Sequence, residues 1–406
     1  MITNQKDLRG GNPLWIKSPH STVRARTTLS QEQCDVVVVG AGVSGALTAL
    51  MLTEKGFDVV VVDRRKPTTG STAASTAMIQ FELDTPITEL SEKIGAKNAR
   101  RAYQRSLRAV DDLKDFITRH KIKAEWRDRD ALYLAGNEMG FRALQTEAKE
   151  RQKAKLPSTY IDRELLLKTY GIDRTGAIVS QGAAELNPTQ LTAGALRAAQ
   201  RAGCRIYQDY EVTKVESDKA GVCLTTSHGG TIHAKRVVFA TGYETVKGLP
   251  TGKFDITSSW AIATNPIAPQ KLWPTRCLIW EASDPYLYMR TTADNRILIG
   301  GEDSGLTDPD RRDAAIPAKS EKLLRAAKAL LPNLELEVAY AWAGAFAVSP
   351  TGLPIITELD GRKNQFAILG CGGNGITFSM IAAQLASSWA QGKRDPDMDL
   401  FKDAGK

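Results

Sequence analysis

The chain contains few of the residues from which disulfides and metal sites are built. Its 406 residues include five cysteines, and no two of them form a C-x-x-C pair: Cys34, Cys204, Cys223, Cys277 and Cys371. This scatter argues against structural zinc, iron–sulfur ligation and a disulfide framework, and it predicts a protein of the reducing cytoplasm. The four histidines lie outside every glycine motif. A histidine base or a histidine metal triad is therefore not expected.

Long apolar segments are also scarce. The first thirty residues are polar, so no signal peptide is expected. The stretch from Asn364 to Gly392 has no charged residue, but five glycines, Asn374 and Gln384 interrupt it. This pattern predicts a buried strand, turn and helix rather than a membrane span. With 42% hydrophobic and 25% charged residues, the composition is that of a globular protein of two closely linked domains.

The positive charge is concentrated in one place. The formal net charge is +8, and residues 100–129 contain ten basic and five acidic side chains. We expect these to form the solvated face of a helix, with docking to anionic lipid or to an acidic partner protein as the alternative. Nucleic acid is not expected as a partner, because no aromatic stacking motif accompanies the charge.

The clearest positive signal is a dinucleotide-binding fingerprint. A strand of valines leads into a G-x-G-x-x-G pattern, Gly40, Gly42 and Gly45, and the next strand ends at an acidic residue, Asp63. We expect Gly40 to allow a tight turn, Gly42 to let the backbone approach a pyrophosphate, and Gly45 to let a helix pack on the strand. The alternative is an ordinary βαβ crossover in which the glycines serve packing alone.

The residues around Asp63 refine this interpretation. The carboxylate could accept hydrogen bonds from a ribose 2′-hydroxyl, while the helix over 43–55 directs its N-terminal N–H groups at the phosphates. Arg64 and Arg65 could indicate a 2′-phosphate, but Asp63 would repel that group. We therefore expect the two arginines to be solvated, or one guanidinium to cover the adenine.

Small-residue turns recur farther along the chain. Residues 68–77 can form neither a core nor a charged surface, and they offer hydroxyls and N–H groups to a ligand. Periodicity predicts helices over 89–120, 138–155, 191–202 (capped at Asn187), 318–331 and 376–391, and an antiparallel sheet over 253–339. The last of these helices follows four glycines. Its first N–H groups could therefore come close to a bound ligand and stabilise negative charge that develops on a ring of that ligand.

Five motifs in order resemble the D-amino-acid oxidase-like FAD-dependent oxidoreductases over nearly the whole chain. They are the fingerprint, the loop at 70–75, the turn at 240–242, the segment 342–354 and the helix start at 372–377. The glycine oxidase, sarcosine oxidase and γ-glutamylputrescine oxidoreductase group is the most similar. The resemblance implies an α/β fold in which a Rossmann-type FAD-binding domain is interleaved with a mixed, largely antiparallel-sheet substrate domain.

The implied boundaries are a leader (1–33), an FAD-binding domain (34–90, 187–252 and 340–406) and a substrate domain (91–186 and 253–339). Fingerprint and resemblance together predict the residues that contact the cofactor. These are Gly40, Gly42, Val43, Ser44, Gly45, Asp63, Arg64, Ser71, Thr72, Ser75, Thr76, Val212, Ala240, Thr241, Gly242, Gly372, Gly373, Asn374, Gly375, Ile376 and Thr377.

Departures from the family pattern bear on the substrate and on cofactor attachment. Two arginines that hold a substrate carboxylate in the amino-acid oxidases of this group correspond to Phe346 and Gly373 here, so two bidentate clamps are missing. The positions of covalent flavin attachment in relatives correspond to Ala74 and Gly344. The resemblance therefore implies noncovalent FAD.

The substrate pocket is expected to be largely aromatic. Tyr286 matches a tyrosine that faces the substrate in glycine oxidase, and Phe346 would stand beside it. Arg290 could bind a remote carboxylate, although a structural or solvated role at the end of a strand is the alternative. No metal is expected.

These observations predict an FAD-dependent oxidoreductase that oxidises a small-molecule amine or amino-acid derivative to an imine. A pocket that desolvates the ammonium and lowers its pKa would need no strong base. Oxygen or another acceptor could reoxidise the flavin. The alternatives are a flavoprotein subunit that acts through a partner or a membrane, and an NAD-dependent dehydrogenase.

Overall fold

The computed structural model describes residues 6–217, 220–244, 246 and 254–402. In chain order the strands are β1 (Arg9–Gly11), β2 (Gln31–Val39), β3 (Val59–Val62), β4 (Met78–Ile79), β5 (Arg127–Leu134), β6 (Ser158–Asp162), β7 (Gly176–Glu185), β8 (Arg205–Tyr207), β9 (Val212–Ser217), β10 (Val222–Thr226), β11 (Thr231–Phe239), β12 (Asp255–Thr264), β13 (Leu278–Glu281), β14 (Leu287–Thr291), β15 (Ile297–Ser304), β16 (Val338–Val348), β17 (Ile355–Glu358) and β18 (Gln365–Leu369). The helices are α1 (Val43–Glu54), α2 (Ile87–Ile94), α3 (Ala96–Arg119), α4 (Phe141–Lys153), α5 (Arg163–Tyr170), α6 (Pro188–Arg201), α7 (Pro309–Ala314), α8 (Ile316–Leu330) and α9 (Gly375–Ala390).

The smaller sheet has eight strands around a parallel centre. Its order is β17-β18-β11-β2-β3-β8, with β10 and β9 extending from β11 as an antiparallel ribbon. Strands β18, β11, β2, β3 and β8 run parallel. The valines of β2 and β3 form almost continuous apolar runs because a parallel sheet is buried on both faces. Helix α1 follows β2 and packs against α6 and α9, as in a doubly wound fold.

The larger sheet has ten strands in the order β1-β16-β12-β15-β14-β13-β5-β7-β4, with β6 paired to β7. Its pairings are antiparallel except for β5 with β13, and α8 packs on β12, β15 and β16. The chain alternates between the two sheets several times. The predicted α/β class, with a Rossmann-type domain interleaved with a mixed-sheet domain, is confirmed.

Strand pairing modifies two of the predicted segments. The leader contains a strand of the larger sheet, because β1 pairs with β16. Strand β16 pairs with β12 along its length and so belongs to the larger sheet, although the predicted FAD segment starts at residue 340. In terms of sheets, the chain returns to the smaller one only at β17. The predicted junction at 252/253 lies outside the described residues, and the domain boundaries stay a prediction.

The helical region predicted over 89–120 is two helices. Gly95, which has a φ of 83°, separates α2 from α3. A glycine is favoured there because other residues rarely adopt a positive φ. Helix α3 buries residues spaced three and four apart, from Ala99 to Ile117, and turns its charged side outward.

The basic face of α3 is exposed as expected, with Arg108, Lys114 and Arg119 48–62% exposed, but several of its cations also have acidic partners within the chain. Three arginines converge on the carboxylate of Asp397: Arg101 at 3.2 Å, Arg105 at 3.6 Å and Arg108 at 2.9 Å. Asp395 also contacts Arg105. The acidic residues come from the segment after α9, so the pairs fasten the end of the chain onto α3.

Among the described residues, no helix is both long enough and apolar enough to cross a membrane. The uncharged stretch after Asn364 forms β18, a glycine turn and α9, as its pattern predicted.

We predict that Asp397→Ala lowers the free energy of unfolding by about 2 kcal/mol, because three guanidinium groups lose a nearly buried partner. Urea denaturation monitored by circular dichroism measures this. Asp360→Ala is the matched control, since that side chain is 89% exposed and lies 3.8 Å from Lys402. We expect the control to change stability by less than about 0.5 kcal/mol. Equal effects of the two variants would contradict a role for Asp397 as the centre of the arginine cluster.

Candidate active site

Two adjoining cavities lie where the sheets meet, and five residues line both of them: Val43, Ser44, Ser71, Thr72 and Gly242. The smaller has a volume of about 810 Å³ and the larger about 1340 Å³, including space open to solvent. The smaller is lined by the glycine fingerprint and the ends of β3 and β11. The larger extends to the N-terminus of α9 and to the face of the larger sheet.

The cavities collect nearly all of the predicted cofactor residues. The exceptions are Gly45 and Thr377, which lie just behind the walls. The oxygen of Gly40 lies 1.8 Å from where a Cβ of Gly45 would be, so Gly45 permits the close packing of α1. Thr377 donates from Oγ1 to the carbonyl of Gln80 at 3.1 Å. Both residues shape the site from behind.

The fingerprint turn has the predicted geometry. Gly40 has a φ of 118°, and a Cβ there would lie 2.2 Å from the carbonyl oxygen of Ala240. A Cβ on Gly42 would meet only the hydroxyl of Thr72, at 3.3 Å. Gly40 is therefore needed by the fold, whereas Gly42 keeps the cavity side of the turn clear.

Asp63 stabilises the fingerprint turn through two hydrogen bonds within the protein. Its Oδ2 accepts from the N–H of Ala41 at 2.6 Å and its Oδ1 from that of Arg65 at 2.8 Å. Desolvation raises the pKa of this carboxyl in spite of these bonds. Asp63 also lines the smaller cavity, where a ribose could reach it. The contact with a ribose stays a prediction.

Arg64 and Arg65 have an acidic partner within the chain, so the expectation that both are simply solvated was wrong, while the alternative that one guanidinium covers the adenine stays a prediction. Both guanidinium groups contact Glu244, a residue whose side chain is 6% exposed, and Arg64 also lies 3.5 Å from Glu211. Arg65 donates to Oε2 of Glu244 at 2.8 Å. The two arginines therefore close one wall of the smaller cavity, where their charge is shared with a buried carboxylate.

The loop at 71–76 lies between the cavities and is held by three side-chain donors. Nε1 of Trp342 donates to the carbonyl of Ala74 at 2.9 Å, and Nε1 of Trp15 donates to that of Ser75 at 2.8 Å. Nε of Arg290 donates to the carbonyl of Thr76 at 2.5 Å. The small residues of this loop bury no core of their own, and side chains from other segments hold the loop in place.

Arg290 is committed to this structural role. Besides Thr76, its guanidinium donates to the carbonyls of Thr291 and Leu186, at 2.8 and 2.9 Å. The side chain is buried, does not line the larger cavity and lies 5.3 Å from the centre of the Trp15 ring. Burial lowers its pKa to about 10, so it remains charged. The suggestion that Arg290 holds a remote carboxylate was wrong.

The N-terminus of α9 forms the opposite wall of the larger cavity. The amide of Asn374 donates to the carbonyl of Glu82 at 2.7 Å, and Ser379 bonds to Ser44 on α1 at 2.7 Å. The N–H of Gly373 donates to Oδ2 of Asp84 at 3.2 Å. These bonds fix the glycine turn, so the first N–H groups of α9 have set positions.

The far wall is aromatic. Tyr286 and Phe346, both predicted to face substrate, line the cavity together with Tyr288 and Trp280. The Tyr286 and Tyr288 rings are 5.5 Å apart, and Trp280 stacks on Tyr133 at 3.9 Å. The described residues on this wall include no lysine, arginine or histidine.

Asp303 lies directly behind this wall. Burial raises the pKa of its carboxyl to about 6, while the nearby hydroxyls of Ser259 and Tyr286 act in the opposite direction. Tyr286 has its own pKa raised well above the usual value, so its hydroxyl stays protonated. Asp303 and Tyr286 are therefore close enough for each to shift the pKa of the other.

The comparisons with known proteins agree with this geometry. A family model described as "FAD dependent oxidoreductase" matches residues 35–389. The chain belongs to this family. Glycine oxidase from Geobacillus kaustophilus is 25% identical over 369 residues, which cover 88% of this chain and 93% of that protein. γ-Glutamylputrescine oxidoreductase from Escherichia coli is 26% identical over 376 residues, covering 88% and 84% respectively.

A solved structure shows the same fold. L-proline dehydrogenase from P. horikoshii superimposes with a TM-score of 0.76 at 17% identity, and the match covers 92% of this chain and 97% of that one.

Family membership identifies the dinucleotide as FAD rather than NAD. Two observations independent of the family agree that the cavities are built for a polar ligand. Oγ1 of Thr241, Oε1 of Gln80 and Nε1 of Trp280 are buried beside the cavities, and the described residues offer them no partner. The clear space beside Gly42 suits a pyrophosphate. Among the described residues, no group of three His, Cys, Asp or Glu side chains is arranged to bind a metal ion.

Sequence reasoning missed Asp84, Asp303, Ser259 and Tyr288. The acids are isolated and belong to no motif, so nothing local distinguishes them from surface residues. Tyr288 did carry a signal, because it lies two residues after Tyr286 and alternation in a strand puts both side chains on one face.

We predict that Asp63→Ala weakens FAD binding by about 1–3 kcal/mol, through loss of a charged acceptor and of the two bonds that shape the turn. The retained flavin absorbance after dialysis, compared with that of wild type, measures this. Asp310→Ala, on the exposed surface of α7, is the control and should keep its flavin. Full retention of flavin by Asp63→Ala would contradict a role in the cofactor site.

We predict a pH-dependent gain in stability for Asp303→Asn. The raised pKa means that the folded state disfavours the ionised form, so this group destabilises the native protein as the pH rises through about 4 to 6. The variant should therefore be more stable than wild type above pH 6, by about 2 kcal/mol, and the difference should vanish near pH 4. Melting temperatures across this range test the sign. A variant less stable than wild type at pH 8 would show that the pKa is not raised.

Proposed function

We propose that this protein oxidises the carbon–nitrogen bond of an amine that lacks an α-carboxylate. The observation that carries the proposal is the charge of the larger cavity. Its described wall has one carboxylate, Asp84, and no basic side chain, so nothing there matches an α-carboxylate. Binding a carboxylate in a partly desolvated cavity ordinarily requires an arginine or an equivalent set of donors.

The two positions that differ from the family pattern support this. Phe346, on β16, and Gly373, before α9, both line the larger cavity, and neither can form a salt bridge. An arginine at either position would have reached the same space. Both clamps are therefore missing from the cavity in which we expect the substrate to bind.

Bound FAD supplies the acceptor for a hydride from the α-carbon, and water then hydrolyses the imine product. The protein's own part is to bind and desolvate the amine. The aromatic wall formed by Trp280, Tyr286, Tyr288 and Phe346 lowers the dielectric around an ammonium, which lowers its pKa and favours the neutral amine that can react. This accounts for catalysis without a histidine.

We further propose that FAD is held without a covalent bond. Ala74 and Gly344 both line the larger cavity and have no nucleophile. Cys371 also lines it, but burial raises the pKa of that thiol to about 12, so it is protonated and unreactive.

The relatives are consistent with an amine substrate but do not decide it. One is named for a putrescine derivative and another for glycine. They are 25–26% identical to this chain, and proteins at that distance share a reaction class more often than a substrate. The alternative of a docked electron-transfer subunit is weakened because three arginines of α3, Arg101, Arg105 and Arg108, are paired with Asp395, Asp397 and Asp399.

Anaerobic flavin bleaching, followed by stopped-flow absorbance, tests the proposal. We expect amines without an α-carboxylate to reduce the flavin at least about a hundredfold more efficiently, in kcat/KM, than glycine, sarcosine or D-alanine. Phe346→Arg should raise the rate with α-amino acids, while Phe346→Leu is the size-matched control that adds no charge. Efficient reduction of the unmodified protein by glycine, sarcosine or D-alanine would refute the proposal.

A further inference from the structure

Among the described residues that line the larger cavity one side chain, that of Asp84, carries a charge, and the proposed reaction has no use for it. Asp84 follows β4, and its side chain is exposed on the cavity wall. Its neighbours Leu83 and Thr85 are buried, and the carbonyl of Thr85 accepts from the hydroxyl of Tyr103 at 2.9 Å. The backbone that presents Asp84 is therefore firmly held.

The carboxylate of Asp84 has little compensation from the described part of the chain. The N–H of Gly373 donates to Oδ2, and Oδ1 has no described partner. No described cation contacts it, and desolvation by the cavity walls raises its pKa. An anion in such a place is stabilised most by a cation brought by the ligand.

The surroundings suit a cation with a hydrocarbon chain. Tyr243, Tyr286 and Phe346 line the same cavity, and their apolar area can cover the methylenes of such a chain. A carboxylate within an aromatic wall recognises both parts of an aliphatic ammonium.

The cation that Asp84 binds should not be the one that is oxidised. The reacting amine has to lose its proton before its α-carbon can give up a hydride. A carboxylate paired with that ammonium would raise its pKa and hold the proton in place. Asp84 therefore favours a second, unreactive positive group at a distance from the reacting nitrogen.

We propose that Asp84 anchors a second ammonium group, so that the substrate class is a diamine or a longer polyamine. This inference rests on the proposed amine oxidation. A rival role for Asp84 is that of general base for the reacting ammonium, and the two roles differ in which kinetic constant they affect.

The test uses the FAD-loaded protein, α,ω-diaminoalkanes of three to six carbons and n-alkylamines of the same lengths. For wild type we expect a KM at least about tenfold lower with the diamine than with the matched monoamine. In Asp84→Asn the KM for the diamine should rise about tenfold or more, which removes the preference, and kcat should change far less than KM. Asp310→Asn is the control and should behave as wild type.

Diamine binding is also measured without turnover, from the change in flavin absorbance on titration. If no amine reduces the flavin, the proposed function fails, and this titration alone then decides the role of Asp84. Equal affinity of wild type and Asp84→Asn for the diamine would overturn the inference. So would an equal fall in kcat with monoamines and diamines, which is the result expected of a general base.

Discussion

The active site depends on three hydrogen bonds that hold the small-residue loop between the cavities. Trp15 comes from the leader, Arg290 from β14 and Trp342 from β16, and each donates to one successive carbonyl of residues 74–76. The loop has only small side chains, so its conformation depends on these donors from the larger sheet and the leader. Through Thr72, which accepts from the N–H of Val43 at 3.1 Å, it also fixes the first turn of α1. The larger sheet thereby helps to position the helix of the glycine fingerprint. Arg290 suits this task because a guanidinium can serve three carbonyls at fixed angles, which a lysine cannot.

Basic and acidic side chains are distributed unevenly around the two cavities. The chain has a net charge of +8, yet no described basic side chain lines the larger cavity. Arg64 and Arg65, at the smaller cavity, share Glu244, and three arginines of α3 share the acidic segment after α9. The larger cavity itself is lined by the carboxylate of Asp84, the N-terminus of α9 and aromatic rings. In our proposal this arrangement favours a cationic ligand, while the positive end of α9 faces the cofactor.

The sequence predicted those parts of the fold that depend on local pattern. Valine runs, glycine spacing and the Asn187 cap each specify a structure within a few residues, and the cap bond to the N–H of Gln190 is present at 3.2 Å. The failures involve partners that are distant in sequence. Arg64 and Arg65 resemble surface residues until folding brings Glu244 to them, and Arg290 resembles a ligand-binding residue until its carbonyl partners are known. Asp84 was missed for the same reason, because its environment exists only after folding.

The predicted lack of a carboxylate clamp at position 373 is linked to Asp84, whose carboxylate no described cation contacts. A Cβ on Gly373 would lie 2.6 Å from Oδ2 and 2.9 Å from Oδ1 of Asp84. Any side chain at position 373 would therefore displace Asp84, and an arginine there would pair with it. Such a pair would neutralise the wall and leave the guanidinium only partly available to a substrate carboxylate. A wall that binds carboxylates through position 373 and a wall that presents Asp84 to cations are thus mutually exclusive. Because partial burial strengthens the interaction of whichever charge remains, the absence of a side chain at position 373 helps to set the sign of charge that the cavity accepts.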